Sequence, residues 1–163
     1  MKKITYPIIS IIILIFINAC TGYKPIYTTD LQFKIADYSI KSNKKLGRQI
    51  YSKLYNLSKF SENNTEVQNV NITVDTTKDK KATVKDSAGK ILEYRIIVNS
   101  NIIIENSLTN EKILNQTYSY STMYKVQDQN SETKILENKS IESLINKIYQ
   151  NLIIKMSEIM STQ

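Results

Sequence analysis

The chain has 163 residues, a formal net charge of +7, a single cysteine, three glycines and no histidine. The lack of histidine removes the commonest general base and metal ligand, a lone cysteine cannot form an intrachain disulfide, and three glycines leave no Gly-rich phosphate loop. No pair of carboxylates forms a recognisable motif either, so we predict a protein that is not an enzyme and has no metal or dissociable cofactor.

Residues 1–19 have the pattern of a secretory signal peptide. The only charges of this segment, Lys2 and Lys3, come near its start, and the run from Ile8 to Ile17 is apolar except for Ser10. A run of about ten apolar residues is typical of a signal peptide, whereas a membrane-spanning helix needs about 20. We therefore predict that residues 1–19 are removed after export. An uncleaved membrane anchor is the alternative.

The segment Ile17-Asn18-Ala19-Cys20 resembles the bacterial lipobox, the signal at which an exported chain is lipidated and cut. The resemblance implies a diacylglycerol on the thiol of Cys20, cleavage before Cys20 and an N-acyl chain on the new amino group. Stable membrane attachment takes about two lipid chains, which such a cysteine supplies. Thr21 stands where an aspartate would favour the inner membrane, so the resemblance favours the outer membrane. Residues 20–30 would then form a lipidated tether.

The remaining residues, 31–163, are numerous enough for a single domain with its own core. Polar and apolar residues alternate from Leu31 to Ala36, which predicts a strand. Ser42 and Asn43 are residue types that cap helices, and a helical pattern follows them. The apolar face of this predicted helix consists of Leu46, Ile50, Leu54 and Leu57.

Three further strands are predicted from alternation and from β-branched and aromatic residues. They cover Val70–Val74, Tyr94–Ile104 and Tyr118–Val126. Residues 75–90 are expected to extend the first two of these strands into a long hairpin that turns near Gly89. The hairpin carries Lys78, Lys80, Lys81, Lys85 and Lys90. This pattern fits a basic tip that meets a ligand, and it equally fits a solvated loop whose lysines prevent edge pairing.

The chain closes with its most regular helical pattern, in which apolar residues recur at spacings of three and four over about 20 residues. These residues are Ile141, Leu144, Ile145, Ile148, Tyr149, Leu152, Ile153, Met156 and Ile159 or Met160. Charged residues occupy the opposite face, so we expect the stripe to pack on the sheet rather than to span a membrane. The element order β-α-β-β-β-α predicts an α+β fold, a two-layer sandwich in which two helices pack on one face of a four-stranded mixed sheet.

Lysine accounts for all of the 22 basic residues except Arg48 and Arg95. A basic surface outside the cytoplasm would meet anionic lipid, phosphate groups or acidic partners. An AT-rich genome also enriches lysine, isoleucine and asparagine, and this explanation of the charge stays open. Export argues against a nucleic-acid partner.

The segment Gly22-Tyr23-Lys24-Pro25-Ile26-Tyr27 resembles the opening of the alphaproteobacterial LPS-assembly lipoproteins of the LptE family. The run from Gly89 to Arg95 resembles the family's hairpin into its third strand, and the Tyr-Ser-Tyr strand and the long final helix also fit. The resemblance implies a periplasm-facing plug and assembly partner of the LptD β-barrel, which inserts lipopolysaccharide into the outer leaflet. It further implies contact with lipopolysaccharide through basic residues. The candidates are Lys85, Lys90, Arg95 and Lys125.

Contact with the barrel is expected to involve prolines and tyrosines, since proline favours an extended tether and tyrosine is common in interface anchors. The candidates are Tyr23, Pro25, Tyr118, Tyr120 and Tyr124. The last three lie on one face of a predicted strand and could equally pack beneath the helices. An alternative function is a periplasmic auxiliary lipoprotein of an ABC-type lipid or solute transporter, since these also open with a cysteine and a Pro-x-Tyr-like segment.

Overall fold

The computed structural model describes residues 31–59 and 67–160, and these form the predicted strands and helices in the predicted order. The elements are β1 (Phe33–Ser42), α1 (Lys44–Ser58), β2 (Gln68–Lys85), β3 (Ile91–Asn106), β4 (Lys112–Lys125) and α2 (Asn130–Met160). The predicted α+β fold is therefore confirmed. The predicted signal peptide and tether, with Cys20, Tyr23 and Pro25, lie outside the described residues.

The strand β1 continues to Ser42, beyond Ala36, where the predicted strand ends. The register of β1 against β2 shifts between Ile35 and Asp37, and this irregularity interrupts the alternation on which the prediction depends. The helix α1 begins directly after β1, where the Oδ1 atom of Asn43 accepts a hydrogen bond from the backbone N–H of Leu46 at 3.2 Å. Asn43 therefore caps α1, as its residue type predicts.

The strands lie in the order β1-β2-β3-β4. β1 is parallel to β2, because α1 connects the two strands as a crossover, and a crossover returns the chain in the same direction. β2, β3 and β4 are antiparallel neighbours joined by short turns. The sheet is therefore mixed, with one parallel pair at the β1 edge.

Both helices pack on the same face of the sheet. α1 contacts β1 and β2, while α2 contacts β3, β4 and α1. On the central strand β3, Ile96, Val98, Ile102 and Ile104 are almost completely buried, whereas the residues between them are partly exposed except for Ser100. Burying a side chain of this size contributes about 1.5–3 kcal/mol, so this face holds the core.

The helix α2 starts well before the predicted apolar stripe. Residues Ile141 to Met156 of the stripe form the part of α2 that is buried against the sheet. The earlier turns begin at Asn130, and Thr133 fixes them because its hydroxyl accepts a hydrogen bond from the backbone N–H of Gln127 at 2.9 Å. These turns bring α2 to the β2–β3 hairpin. Neither helix of the described ranges combines the length and apolar character needed to cross a membrane.

α1 lies so close to β1 at Gly47 that the position has no room for a side chain. A Cβ atom at this position would lie 2.5 Å from Cγ2 of Ile40, and a β-branched side chain has little freedom to rotate away. We predict that Gly47→Ala lowers the free energy of unfolding by about 1–3 kcal/mol, although alanine favours a helix by about 1 kcal/mol over glycine. Urea denaturation measures the change.

A double-mutant cycle with Ile40→Ala provides the control, because this substitution removes the Cγ2 atom. The destabilisation caused by Gly47→Ala should shrink in the Ile40→Ala background. If the single variant Gly47→Ala were more stable than the parent protein, this result would contradict the close approach of α1 to Ile40.

Candidate functional site

The turn of the β2–β3 hairpin lies at the end of the sheet where the predicted ligand-binding residues are found. The carboxylate of Asp86 accepts hydrogen bonds from the backbone N–H groups of Ala88 at 2.9 Å and Lys90 at 2.8 Å. Gly89 has a φ of 84°, a left-handed conformation that glycine adopts readily. The turn therefore forms where it is predicted, and exposed lysines, Lys85 and Lys90, flank it.

Arg95 and Lys125 project from the sheet face that lies away from the helices. Arg95 is next to Lys81 on β2 and Met123 on β4, and its Nη2 atom lies 3.8 Å from the sulfur of Met123. Lys125 lies opposite Glu93. Neither Lys81 nor Arg95 forms an ion pair within the described ranges, so their two charges lie side by side without a carboxylate partner.

Two other hairpin lysines, Lys78 and Lys80, lie on the helix side and bind Glu137 of α2 at 3.2 and 2.7 Å. The Nζ atom of Lys80 is also 4.2 Å from the ring centroid of Tyr94, and the hydroxyl of Tyr124 donates to Glu137 at 3.1 Å. We call these five residues the Glu137 clasp. It attaches the outer part of the hairpin to the first turns of α2.

The charges of the clasp stabilise one another. Partial burial raises the pKa of the Glu137 carboxyl, but hydrogen bonds from Lys80, Lys78 and Tyr124 outweigh this effect and hold the pKa below its ordinary value of 4.5. Burial likewise lowers the pKa of Lys80, but the bonds with Glu137 and Tyr124 outweigh it and raise that pKa. The sequence does not reveal this group, because Lys78 and Lys80 are 59 and 57 residues away from Glu137 along the chain.

The three tyrosines of β4 lie on the helix side of the sheet. Tyr118 and Tyr124 are only 7% and 6% exposed, so they pack in the core, the arrangement that the sequence left open. Tyr120 is half-buried, and the Nζ atom of Lys147 lies 4.6 Å from its ring centroid. The phenolic oxygen of Tyr118 has no hydrogen-bond partner within the described ranges. Burial, with smaller contributions from Tyr120 and Glu158, raises the pKa of Tyr118 to about 12.

A second basic region, which no motif in the sequence indicates, is the groove between α1 and α2. Its floor includes the apolar residues Leu46, Ile141 and Ile145. Its walls carry the cations Lys45, Arg48, Lys53, Lys78 and Lys134 and the carboxylates Glu137 and Glu142. Cations above an apolar floor suit anionic groups that carry hydrocarbon. The positions of Lys45, Arg48 and Lys53 on α1 could be read from the helical pattern of the sequence. Only the packing of α1 against α2 brings Lys134 to the same groove.

The Glu137 clasp gives a prediction for stability. Glu137→Gln should lower the free energy of unfolding by about 1–2 kcal/mol at neutral pH, because the variant loses charge-assisted hydrogen bonds from two partly buried lysines. The matched control is Glu142→Gln, an exposed carboxylate on the same helix without an ion pair within the described ranges. The control should change stability by less than about 0.5 kcal/mol. Urea denaturation of the three proteins measures both effects.

The same proteins have a predicted pH dependence. Because folding lowers the pKa of Glu137, its contribution to stability is present above the ordinary value of 4.5 and is lost as the pH falls through the folded-state pKa. The stability difference between the parent and Glu137→Gln should therefore shrink in acid. A difference that is constant with pH, or equal for the two variants, would exclude the clasp as its source.

Comparison with known proteins relates the fold to bacterial lipoproteins. No model of a known protein family matches the chain, and no curated protein matches it. The solution structure of lipoprotein B from Nitrosomonas europaea aligns with a TM-score of 0.60 at 13% identity, over 86% of this chain and 93% of that chain. A minor lipoprotein from Acinetobacter baumannii aligns with a TM-score of 0.55 at 17% identity, over 78% of this chain and 93% of that chain. The chain therefore shares the fold of these lipoproteins.

Proposed function

We propose that this chain is an outer-membrane lipoprotein of the LptE type that faces the periplasm. It serves as the plug and assembly partner of an LptD-like β-barrel during insertion of lipopolysaccharide into the outer leaflet. The observation that carries the proposal is a fold shared with lipoprotein B on a chain that opens with a lipobox-like segment at Cys20. The lipobox-like segment at Cys20 supports attachment to a membrane, and the shared fold supports the architecture of an LptE-type lipoprotein.

The lipid anchor would hold the domain close to the membrane. Between Cys20 and the first described residue, Leu31, the chain can span at most about 40 Å when fully extended. Leu31 and Phe33 are both buried in the core, so the domain begins directly where the tether ends. This short connection suits a protein that works at the outer membrane beside an integral partner.

Lipopolysaccharide contact is assigned to the hairpin end of the uncovered face. Lys81 and Arg95 are adjacent there and lack a carboxylate partner within the described ranges, while Lys125 lies on the neighbouring strand. The phosphates of lipid A would accept charge-assisted hydrogen bonds from these groups, and a guanidinium can bind a phosphate through two of them. Lys85 and Lys90 extend the same basic surface to the turn.

Not all hairpin lysines have this role. Glu137 already neutralises part of the charge of Lys78 and Lys80, and it holds them on the helix side. We therefore assign these two lysines to the attachment of the hairpin. For contact with the barrel, Tyr120 is a better candidate than Tyr118 or Tyr124, because it is the most exposed of the three.

Charge reversal tests the ligand. The double variant Arg95→Glu with Lys125→Glu should bind purified lipopolysaccharide at least about tenfold more weakly, because each lost charge-assisted bond contributes about 1.5–3 kcal/mol before compensation. The matched control, Lys34→Glu with Lys41→Glu on β1, makes the same change in net charge away from the hairpin. If both double variants lost the same amount of lipopolysaccharide binding, the loss would be an effect of net charge alone, and this result would contradict the assigned site.

Purification from the native host tests the partner. A C-terminally tagged chain should bring down a stoichiometric large β-barrel from outer membranes dissolved in mild detergent, and mass spectrometry should find its Cys20 acylated. The Cys20→Ala control should lose both the acyl groups and the membrane location. Recovery of inner-membrane transporter subunits instead would overturn the proposal in favour of an auxiliary lipoprotein of an ABC-type transporter.

A further inference from the structure

The outer edge of β4 has no partner strand within the described ranges. β4 is the last strand of the sheet, and β3 is its only neighbour there. An edge strand presents a row of unpaired backbone N–H and C=O groups, which pair readily with an extended segment of another chain. At Lys112–Lys125, β4 offers 14 residues of such an edge.

From Leu114 to Tyr124, β4 lacks the features that usually prevent this pairing, since its register against β3 shifts only near the Lys112 end. Its only charged residues, Lys112 and Lys125, are its two terminal residues, and it contains no proline. The opposite edge, β1, is different, because charged residues interrupt it at Lys34 and Asp37 and its register shifts between Ile35 and Asp37. Charged residues and bulges are the common means of protecting an edge. One edge of the sheet is therefore protected, and the other is open.

A groove runs along the open edge. On the strand side it is lined by five consecutive residues, Gln116 to Tyr120, and on the helix side by Asn151, Ile154, Lys155 and Glu158 of α2. Consecutive strand residues point to opposite faces of a sheet, so a groove that all five residues line must follow the edge itself rather than lie on one face. Ile154 is 38% exposed in its wall, which provides an apolar contact for an incoming side chain.

A buried polar group lies at the same place. Tyr118 is in the middle of the five residues, is 7% exposed, and has a phenolic oxygen without a hydrogen-bond partner in the described part of the chain. Buried hydroxyl groups normally have such a partner. The missing partner, the unprotected edge and the groove coincide at Gln116–Tyr120.

We propose that the edge of β4 is a docking site for an extended, acidic segment of a partner protein, which adds a fifth strand to the sheet beside the wall of α2. Main-chain hydrogen bonds to β4 supply the affinity of such a contact, and side-chain pockets supply its specificity. The inference deepens the proposed function by naming how a protein partner is bound, and it rests on that function only in requiring a protein partner in the envelope.

Charge selects the occupant. Lys155 is held by Glu158 at 2.8 Å, and the terminal lysines of β4, Lys112 and Lys125, lie opposite Glu105 and Glu93. Lys147 lies 4.6 Å from the ring centroid of Tyr120, which lines the groove, and it forms no ion pair within the described ranges, so it can receive a carboxylate from an incoming segment. A second copy of the chain is disfavoured, because antiparallel pairing of β4 with itself about its centre places Lys112 opposite Lys125 at both ends. Like charges directly opposite one another destabilise paired strands. A segment that carries aspartate or glutamate is free of this repulsion.

Site-specific photo-crosslinking of the full-length protein in its native host tests the proposal. Benzoylphenylalanine replaces Ser121 on the β4 edge, and the matched control replaces Ser39, an exposed serine on the β1 edge. We expect an adduct from position 121 and none from position 39. Sequencing of the crosslinked peptide should give a segment of one envelope protein that contains carboxylates. No adduct, equal adducts at both positions, an adduct with a second copy of this chain or an adduct with lipid would each overturn the proposal.

A pair of charge variants separates docking from general surface effects. In the Ser121 crosslinking chain, Ser119→Glu should reduce the adduct about tenfold by repelling an acidic segment, whereas Ser119→Lys should leave it unchanged or increase it. Both variants lose the same exposed hydrogen bond to Asn99, so thermal denaturation should show equal stability. Equal loss of the adduct in both variants would overturn the charge assignment and with it the proposed occupant.

The outcomes for the two proposals are distinct. If a β-barrel co-purifies with the chain and Ser119→Glu does not weaken this association or the crosslink, edge docking is wrong and the proposed function stands. If the crosslinked acidic segment belongs to a protein other than a barrel and no barrel co-purifies with the chain, edge docking stands and the proposed function is wrong.

Discussion

The helices α1 and α2 cover the same face of the four-stranded sheet, and most other features depend on this one-sided burial. The crossover through α1 makes β1 parallel to β2, and α2 returns from the opposite edge to lie beside α1. The buried face is therefore mostly aliphatic, whereas the uncovered face has to satisfy its polar groups in water. On that face, Ser119 donates to Asn99 at 2.6 Å and Thr117 donates to Asn101 at 3.3 Å, so neighbouring strands are joined by polar side chains.

The outer part of the β2–β3 hairpin includes a stretch of β2 that contributes no buried residue to the core. β2 has no buried residue after Thr76 but continues to Lys85. This outer part of β2 pairs with β3, which in turn pairs with β4 as far as Glu93, and the Glu137 clasp attaches it to α2. The clasp also divides the lysines into two groups, those that a carboxylate holds on the helix side and those that remain available on the uncovered face.

The two edge strands of the sheet, β1 and β4, differ in chemical character, although each has a neighbouring strand on one side only in the described part of the chain. β1 has charges and a register shift within its length, while the interior of β4 is uncharged. The tyrosines of β4 contribute to this difference. Tyr118 and Tyr124 fill the space beneath α2, so neither position could carry a charge without placing it in the core, and the other face of β4 consists mainly of serine, threonine and asparagine.

Local periodicity predicted some elements of the fold more completely than others. The alternation of β3 and the stripe on α2 predicted the fold class, because burial of one face imposes a period on the sequence. The turn at Gly89 was also predictable, since a left-handed residue in a hairpin favours glycine. The length of β1 was not, because the irregularity near Ala36 hides the alternation. The first turns of α2 lie before the apolar stripe, and they are held to the sheet by Glu137, whose partners are on β2 and β4.

The sequence by itself determined the order of the elements, the buried faces of the two helices and of β3, and the concentration of lysines on the hairpin, because these properties depend on local periodicity and composition. Only the tertiary structure decided which lysines Glu137 neutralises, which tyrosines are buried and which edge of the sheet is open. The physical reason is that each of these depends on a contact between segments far apart in the chain. Lys80 meets Glu137 only after three strands and a helix have packed together, and no local pattern in the sequence records that distance.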